Sequence, residues 1–153
     1  MIKFNGIWLY GLSGVGKTYL SQIIYKNIDR SLIIDGDVVR KYISTDLNYS
    51  EEARNTQIKR IFGISKISIN SNIFPIISSV WMNKNLFEIC KKEKILLLKI
   101  ERDMKEIIGS HKTYTENKKD VVGIDLLYEN LDSLIYRNDT KNEFWKFIKT
   151  HIY

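Results

Sequence analysis

An eight-residue stretch near the start of the chain, residues 11–18, constrains the fold more than any other part of the sequence. It reads GLSGVGKT and matches the phosphate-binding loop pattern G-x-x-x-x-G-K-[ST] at every fixed position. An apolar, β-prone run precedes it at residues 7–10, and a segment with helical spacing of apolar residues follows it at 19–28. Strand, glycine loop and helix form the arrangement that this pattern requires, so the sequence predicts binding of a nucleoside triphosphate.

The fixed residues of the loop each have a physical role in holding phosphates. Glycines let the backbone turn tightly, so that successive N–H groups and the positive end of the following helix face one hollow. Lys17 can reach the β- and γ-phosphates, and the Thr18 hydroxyl can bind Mg²⁺. The predicted ATP-binding residues are Gly11, Ser13, Gly14, Val15, Gly16, Lys17 and Thr18. The alternative is a glycine-rich turn that binds nothing, and the flanking strand and helix argue against it.

The composition bounds the class of protein. At 153 residues, 44% of them apolar, the chain has the size and composition of one globular domain with a core of its own. No apolar run is long enough to span a membrane, and residues 1–5 lack the apolar core of a secretion signal. Cys90 is the only cysteine, which excludes an internal disulfide and favours a reducing cytoplasm.

The net charge of +6 raises the question of a nucleic-acid partner. The lysines are scattered, with only short pairs such as those at 91–92 and 118–119, so most of them are expected to form a solvated face. A positive cleft also attracts small polyanions such as nucleotides. We therefore expect neither a nucleic-acid nor a membrane partner.

Apolar runs of strand length alternate with segments of helical spacing along the chain. The predicted strands cover residues 6–10, 32–34, 73–80, 95–100 and 134–136. The predicted helices cover 19–28, 38–43, 50–69, 83–92, 103–108 and 140–151. This alternation predicts an α/β fold with a mostly parallel five-stranded sheet and helices on both faces. Pro75 is unfavourable inside a central strand, and the polar, lysine-rich segment 109–122 is expected to be a mobile lid.

Two aspartates follow the second predicted strand, where ligands of open α/β sheets bind. Asp35 and Asp37 should therefore lie near the phosphate loop, and Asp37 is the first choice for a carboxylate that positions a nucleophilic hydroxyl. The alternative is a polar turn without chemistry. Arg40 and Arg54 carry guanidinium groups suited to phosphate-like anions, whereas Arg60 is equally consistent with an anion contact and with surface helix charge.

Several segments together resemble the adenylylsulfate (APS) kinase family. The loop at 11–18 is followed by DGDVVR at 35–40, and LNYSEEARN at 47–55 with Arg60 resembles the family's L-G-[FY]-S-x-x-D-R-N-x-N-I-R-R segment without a gap. GID at 123–125, followed by Tyr128 and Glu129, resembles its G-I-D-x-x-Y-E element. The match extends over residues 7–136 and is most specific up to Arg60.

The resemblance implies a three-layer sandwich of the P-loop kinase type that uses MgATP to phosphorylate the ribose 3′-hydroxyl of a nucleotide. It implies catalytic roles for Asp37, Lys17 and Asp35, with Thr18 and Asp37 holding Mg²⁺. The implied substrate-binding residues are Asp37, Arg40, Tyr49, Arg54, Gln57, Ser78, Lys112, Val121, Gly123 and Ile124. Among these, the arginines would grip the anionic 5′ tail and Tyr49 would lie on one face of the base. The implied partners are ATP and a nucleotide acceptor, and the family also suggests a homodimer.

The departures from the family concern the base and the lid. Val121 stands where the family has an aromatic residue that stacks on adenine, and Gln57 replaces an asparagine. Ser79 replaces the proline of I-S-P, and the lid motif R-D-P-K-G-L-Y is shortened to residues 111–114. Because the phosphate machinery is kept while base contacts change, the sequence favours a relative that acts on cytidine diphosphoramidate, as in capsule phosphoramidate synthesis. Authentic adenylylsulfate kinase is the alternative.

Three further classes of function fit the sequence less well. A nucleotide-responsive binding module without an acceptor would lack a second anion pocket, which Arg40 and Arg54 argue against. A kinase for a sugar or shikimate-like acceptor is disfavoured by the ungapped segment 49–60. Nucleic-acid binding lacks an aromatic–basic platform. His111 and His151 are too far apart in sequence to suggest a metal site, and Trp81 is expected in the core or at the substrate pocket.

Overall fold

The strands and helices follow the predicted alternation. The computed structural model describes residues 1–108, 111, 114, 119, 121–139 and 143–153. The strands are β1 (Gly6–Tyr10), β2 (Ser31–Asp35), β3 (Phe74–Ser79), β4 (Ile95–Glu101) and β5 (Leu134–Arg137). The helices are α1 (Lys17–Tyr25), α2 (Gly36–Tyr42), α3 (Glu51–Asn70), α4 (Lys84–Lys92), α5 (Met104–Ile108) and α6 (Phe144–Ile152).

The strands form one sheet in the order β2-β3-β1-β4-β5, and every neighbouring pair is parallel. The predicted α/β class with a five-stranded parallel sheet is therefore confirmed. Strand β1 lies at the centre, where Trp8 pairs with Ile77 of β3 and with Leu97 of β4. The loop that follows β1 consequently leaves the sheet at its middle, between the ends of its neighbours.

Strand β1 supplies side chains to two separate cores, one on each face of the sheet. Ile7 and Leu9 pack in the core formed with α1 and α6, whereas Trp8 and Tyr10 pack in the core formed with α3 and α4. This division follows from the two-residue period of a strand. The buried Trp8 indole N–H finds a protein acceptor in its core, the Ser79 hydroxyl, at 2.8 Å.

Pro75 lies inside β3, between two other strands, where the sequence made it unfavourable. It stands in the second position of the strand, opposite Leu32 of β2. On the other side lies Gly6, and a Cβ atom there would approach the proline ring to 2.7 Å. The ring is accommodated because its neighbour has no side chain.

Local signals set most helix starts. The Ser50 hydroxyl accepts the Ala53 N–H and begins α3 as predicted, and the Asn83 side chain begins α4 in the same way. Helix α1 begins at Lys17 rather than at residue 19, because Gly16 in the left-handed conformation leads directly into it. Helix α6 begins at Phe144, and residues 140–142 of that prediction lie outside the described residues. No helix in the described ranges is long and apolar enough to cross a membrane.

Candidate active site

A cavity of about 700 Å³ opens where the loop after β1 meets the carboxyl ends of β2 and β3. It brings together most of the residues that the sequence predicted. The predicted residues that line it are Ser13, Gly14, Gly16, Lys17, Thr18, Asp35, Asp37, Arg40, Tyr49, Arg54, Gln57, Ser78 and Val121. The phosphate loop and the arginines of α2 and α3 therefore share one cavity.

Some predicted residues lie elsewhere. Gly11 and Val15 support the loop from behind: a Cβ atom at Gly11 would collide with the Ile100 carbonyl oxygen, and Val15 is buried. Gly123, with φ of 90°, packs under the loop, where a Cβ atom would lie 2.7 Å from Leu12. Ile124 is exposed and does not line the cavity. Lys112 and most of the predicted lid, 109–122, lie outside the described residues.

The Lys17 side chain is buried against its own loop. Its ammonium donates hydrogen bonds to the carbonyl oxygens of Gly11 at 2.7 Å and Leu12 at 2.8 Å. Burial lowers the pKa of Lys17 to about 8, and the charges of Asp37 and Asp35 oppose that shift. An ammonium has three donors, so one remains for a phosphate oxygen.

The two aspartates after β2 have different surroundings. One carboxylate oxygen of Asp35 accepts the N–H of Asp37 at 2.9 Å and caps α2. The other accepts the Ser78 hydroxyl at 2.9 Å and lies 3.4 Å from the Thr18 hydroxyl. Asp37 is exposed and lines the cavity, and within the described part of the chain its carboxylate has no hydrogen-bond or ion-pair partner. Asp35 is therefore a structural acceptor, and Asp37 presents the available carboxylate.

Arg40 and Arg54 meet at Tyr49. The Arg40 guanidinium donates to the Asn48 carbonyl oxygen at 2.8 Å, and its carbon lies 4.5 Å from the centroid of the Tyr49 ring. Arg54 donates to the Tyr49 carbonyl oxygen at 3.0 Å, with its guanidinium carbon 5.5 Å from the same centroid. These contacts hold two cations of the cavity wall against one ring, while the tyrosine remains 56% exposed.

Arg60, which the sequence left open, does not line the cavity. Its guanidinium donates to both carboxylate oxygens of Asp46, at 2.6 and 2.8 Å. This hydrogen-bonded pair lowers the pKa of Asp46 to about 2 and raises the pKa of Arg60. The pair ties the segment before α3 to the helix itself.

Gln57 is 5% exposed and lines the cavity, and the oxygen of its side-chain amide is an acceptor without a hydrogen bond from the described part of the chain. Its amide nitrogen donates to the Gly36 carbonyl oxygen at 3.0 Å, which fixes the orientation of the side chain. Its Oε1 atom is buried, and no described residue donates to it. A buried acceptor without a donor is costly, so a ligand group that donates would be favoured here.

Several cavity residues were not predicted from the sequence. His111 lies against the loop, with its Cδ2 atom 3.0 Å from the position of a Cβ atom at Gly14, and Lys119 also lines the cavity. The shortened lid was the signal that could have drawn attention to both. Trp81, by contrast, was expected in the core or at the substrate pocket; it is buried, lines the cavity and donates its indole N–H to Asn55 at 2.7 Å.

Comparison with known proteins places this geometry in a family. The sequence model of one family, described as adenylylsulphate kinase, matches residues 4–132. The chain belongs to the adenylylsulphate kinase family. As a member of that family it is an ATP-dependent phosphotransferase, as the resemblance in the sequence implied.

Individual relatives agree with this placement. The adenylyl-sulfate kinase of Buchnera aphidicola subsp. Schizaphis graminum is 32% identical over 162 aligned positions, covering 88% of this chain and 74% of the relative. That of Buchnera aphidicola subsp. Acyrthosiphon pisum is 29% identical, covering 94% and 78%. Among solved structures, the Mycobacterium tuberculosis APS kinase CysC in complex with AMPPNP and APS aligns with a TM-score of 0.81 at 16% identity, covering 97% and 98% of the two chains. This structural likeness supports the fold of the family kinases.

Proposed function

We propose that this kinase transfers the γ-phosphoryl group of ATP to the ribose 3′-hydroxyl of a nucleotide with an anionic 5′ tail, and that the acceptor is adenylylsulfate. The observation that carries the proposal is the shared cavity. Lys17 and the glycine loop line it beside Asp37, and Arg40 and Arg54 line it as well. One cation site serves the donor triphosphate, a second serves the tail of the acceptor, and a carboxylate is available for the hydroxyl.

The chemistry follows from charge and position. Phosphoryl transfer depends mainly on alignment and on offsetting the charge of the transferred group. The remaining N–H of the Lys17 ammonium and the loop N–H groups would bind the phosphates. Asp37 would accept a hydrogen bond from the 3′-hydroxyl and take its proton as the new P–O bond forms and ADP leaves.

Magnesium fits the oxygen atoms at this site. Thr18 and Asp37 line the cavity and offer a hydroxyl and a carboxylate oxygen, the ligands that Mg²⁺ prefers. The part of the chain that the structure describes contains no cluster of three His, Cys, Asp or Glu residues suited to a metal ion. That fits an ion held by one or two protein oxygens together with ATP phosphates and water. When bound, Mg²⁺ would offset negative charge on the phosphates.

The comparisons support adenylylsulfate as the acceptor better than cytidine diphosphoramidate, which the departures of this sequence from the family pattern had favoured. The family and both Buchnera relatives carry the name of the adenylylsulfate reaction. The homodimer suggested by the resemblance stays a prediction, which light scattering after size-exclusion chromatography would test.

A specific observation keeps cytidine diphosphoramidate as a second candidate. The unused Oε1 atom of Gln57 favours a ligand that donates, and a phosphoramidate tail adds N–H groups to the ribose and base donors that both nucleotides share, whereas an ionised sulfate tail adds none. Val121, at the place of the family's second aromatic residue, also leaves one face of a purine without a stacking partner.

The deciding experiment supplies MgATP with adenylylsulfate, with cytidine diphosphoramidate, or with no acceptor. We expect ADP and a 3′-phosphorylated product with adenylylsulfate, and only background ADP without an acceptor. Product formed from cytidine diphosphoramidate alone would replace the proposed acceptor. ADP release at one rate in all three mixtures would overturn the transfer reaction itself, and Lys17→Met is the inactive control.

A further inference from the structure

Asn138, which was not among the predicted site residues, contacts the phosphate loop from the far edge of the sheet. It directly follows β5, and its backbone N–H donates to the Glu101 carbonyl oxygen of β4 at 2.8 Å. Its side-chain nitrogen Nδ2 donates to the Val15 carbonyl oxygen at 2.8 Å. The residue thus connects the end of the sheet to the middle of the loop across 123 positions of sequence.

The amide lies so close to the loop that it restricts the next residue. A Cβ atom at Gly16 would collide with Nδ2 of Asn138. Gly16 also has φ of 96°, a conformation that other residues rarely adopt. The glycine of the motif is therefore required here both for its backbone angle and for the space that Asn138 occupies.

The hydrogen bond to Val15 also orients the Gly16 N–H. In a trans peptide the carbonyl and the N–H point in opposite directions, and the described part of the chain has no cis peptide. Holding the Val15 carbonyl toward Asn138 therefore turns the Gly16 N–H to the opposite side. In the described part of the chain, no backbone carbonyl accepts that N–H, and Gly16 lines the cavity.

We propose that Asn138 is a positioning residue for the ATP triphosphate. By binding the Val15 carbonyl it aims the Gly16 N–H at a phosphate oxygen, without itself touching the nucleotide. This inference rests on ATP binding at the loop and is independent of which nucleotide is the acceptor.

The test compares Asn138→Asp with Asn27→Asp. Both changes replace an amide that donates to a backbone carbonyl, and Asn27 makes its 2.8 Å bond to Ile23 on the exposed end of α1, away from the cavity. ATP affinity is measured by calorimetry without an acceptor, adenylylsulfate affinity in the presence of ADP, and Tm by thermal unfolding. Asn138→Leu, which brings no charge, is measured in parallel.

We expect both Asn138 variants to bind ATP about tenfold more weakly, as for one lost hydrogen bond to a charged group. Asn27→Asp should leave ATP affinity unchanged, adenylylsulfate affinity should be nearly the same in all variants, and Tm should fall by no more than about 2–4 °C in the Asn138 variants, as for one lost hydrogen bond. ATP affinity within about twofold of the original chain in Asn138→Leu would overturn the proposal. So would a parallel loss of both affinities together with a much larger fall in Tm, because it would show a purely structural role. A failure to bind adenylylsulfate in every variant would count against the proposed acceptor and leave the ATP comparison intact.

Discussion

The backbone N–H of Asp37 donates a 2.9 Å hydrogen bond to the carboxylate of Asp35, so that one aspartate begins the helix on which the other lies. The hydroxyls of Ser78 and Thr18 approach the second oxygen of Asp35. The carboxylate of Asp35 is thus surrounded by donors, and the proposed role of receiving the substrate hydroxyl falls to Asp37.

This division predicts different results for the two aspartates. Asp37→Asn should lower kcat by about 10²- to 10⁴-fold, the usual contribution of a general base, with little change in ATP affinity. Asp35→Ala should lower the stability of the fold by about 1 kcal/mol through loss of the helix cap. Acceptor-dependent ADP production and Tm distinguish these effects. Acceptor-dependent turnover at the original rate in Asp37→Asn would show that the role given to Asp37 is wrong.

The pKa of Lys17 predicts a pH dependence of ATP binding. Burial lowers this pKa to about 8, and phosphates bind the protonated ammonium. ATP affinity should therefore be full well below pH 8 and decrease by up to about tenfold per pH unit above it. Lys17→Arg keeps its charge throughout this range and should show a flatter profile. Calorimetry between about pH 7 and pH 9.5 measures both, and a flat profile for the original chain would contradict the prediction.

Arg54 and Arg60 form a matched pair on α3, because only Arg54 lines the cavity. Arg54→Met should raise the acceptor KM by about tenfold or more, through loss of a charged contact to the anionic tail. Arg60→Met should leave KM and kcat nearly unchanged, since its guanidinium binds Asp46. Steady-state kinetics with adenylylsulfate give the comparison. Equal effects of the two changes would mean that Arg54 acts only through the fold.

The position of Val121 in the cavity wall predicts that the base of the acceptor nucleotide packs against this residue. Val121→Phe would supply the aromatic side chain that the family has at this place, and one stacked base contributes about 1–3 kcal/mol. The KM for adenylylsulfate should therefore decrease, whereas Val121→Leu, which adds volume without a ring, should not lower it. An increase in KM with both substitutions would indicate that the base does not lie against Val121.

The sequence predicted the features that depend on neighbouring residues. The glycine loop, the Ser50 cap and the two aspartates after β2 are local patterns, and each lies where the pattern placed it. The alternation of apolar runs then required a parallel sheet, which brings the ends of β2 and β3 beside the loop.

Contacts between residues that are far apart in the sequence could not be predicted from local patterns. The partner of Arg60 is 14 residues away and belongs to an irregular segment, so neither its charge nor its helical spacing distinguished an ion pair from a ligand contact. Asn138 reaches the loop only because β5 lies at the edge of the sheet next to β4. The free acceptor Oε1 of Gln57 can be identified only from the structure, because it depends on the hydrogen bond from the amide nitrogen to the Gly36 carbonyl oxygen.

The contact between Gly6 and Pro75 has a consequence for the site at the other end of the same strands. Ser78 donates to Asp35, and the adjacent Ser79 accepts from Trp8 in the core. If β3 slid by one position so that Ser79 took the place of Ser78, Trp8 would lose its acceptor and the proline ring would meet the side chain of Asn5 in place of the bare backbone of Gly6. The contact at Gly6 therefore disfavours a shift in the register of β3. It keeps Ser78 beside Asp35 and Ser79 beside Trp8, although it lies about 10–15 Å from the chemistry that depends on them.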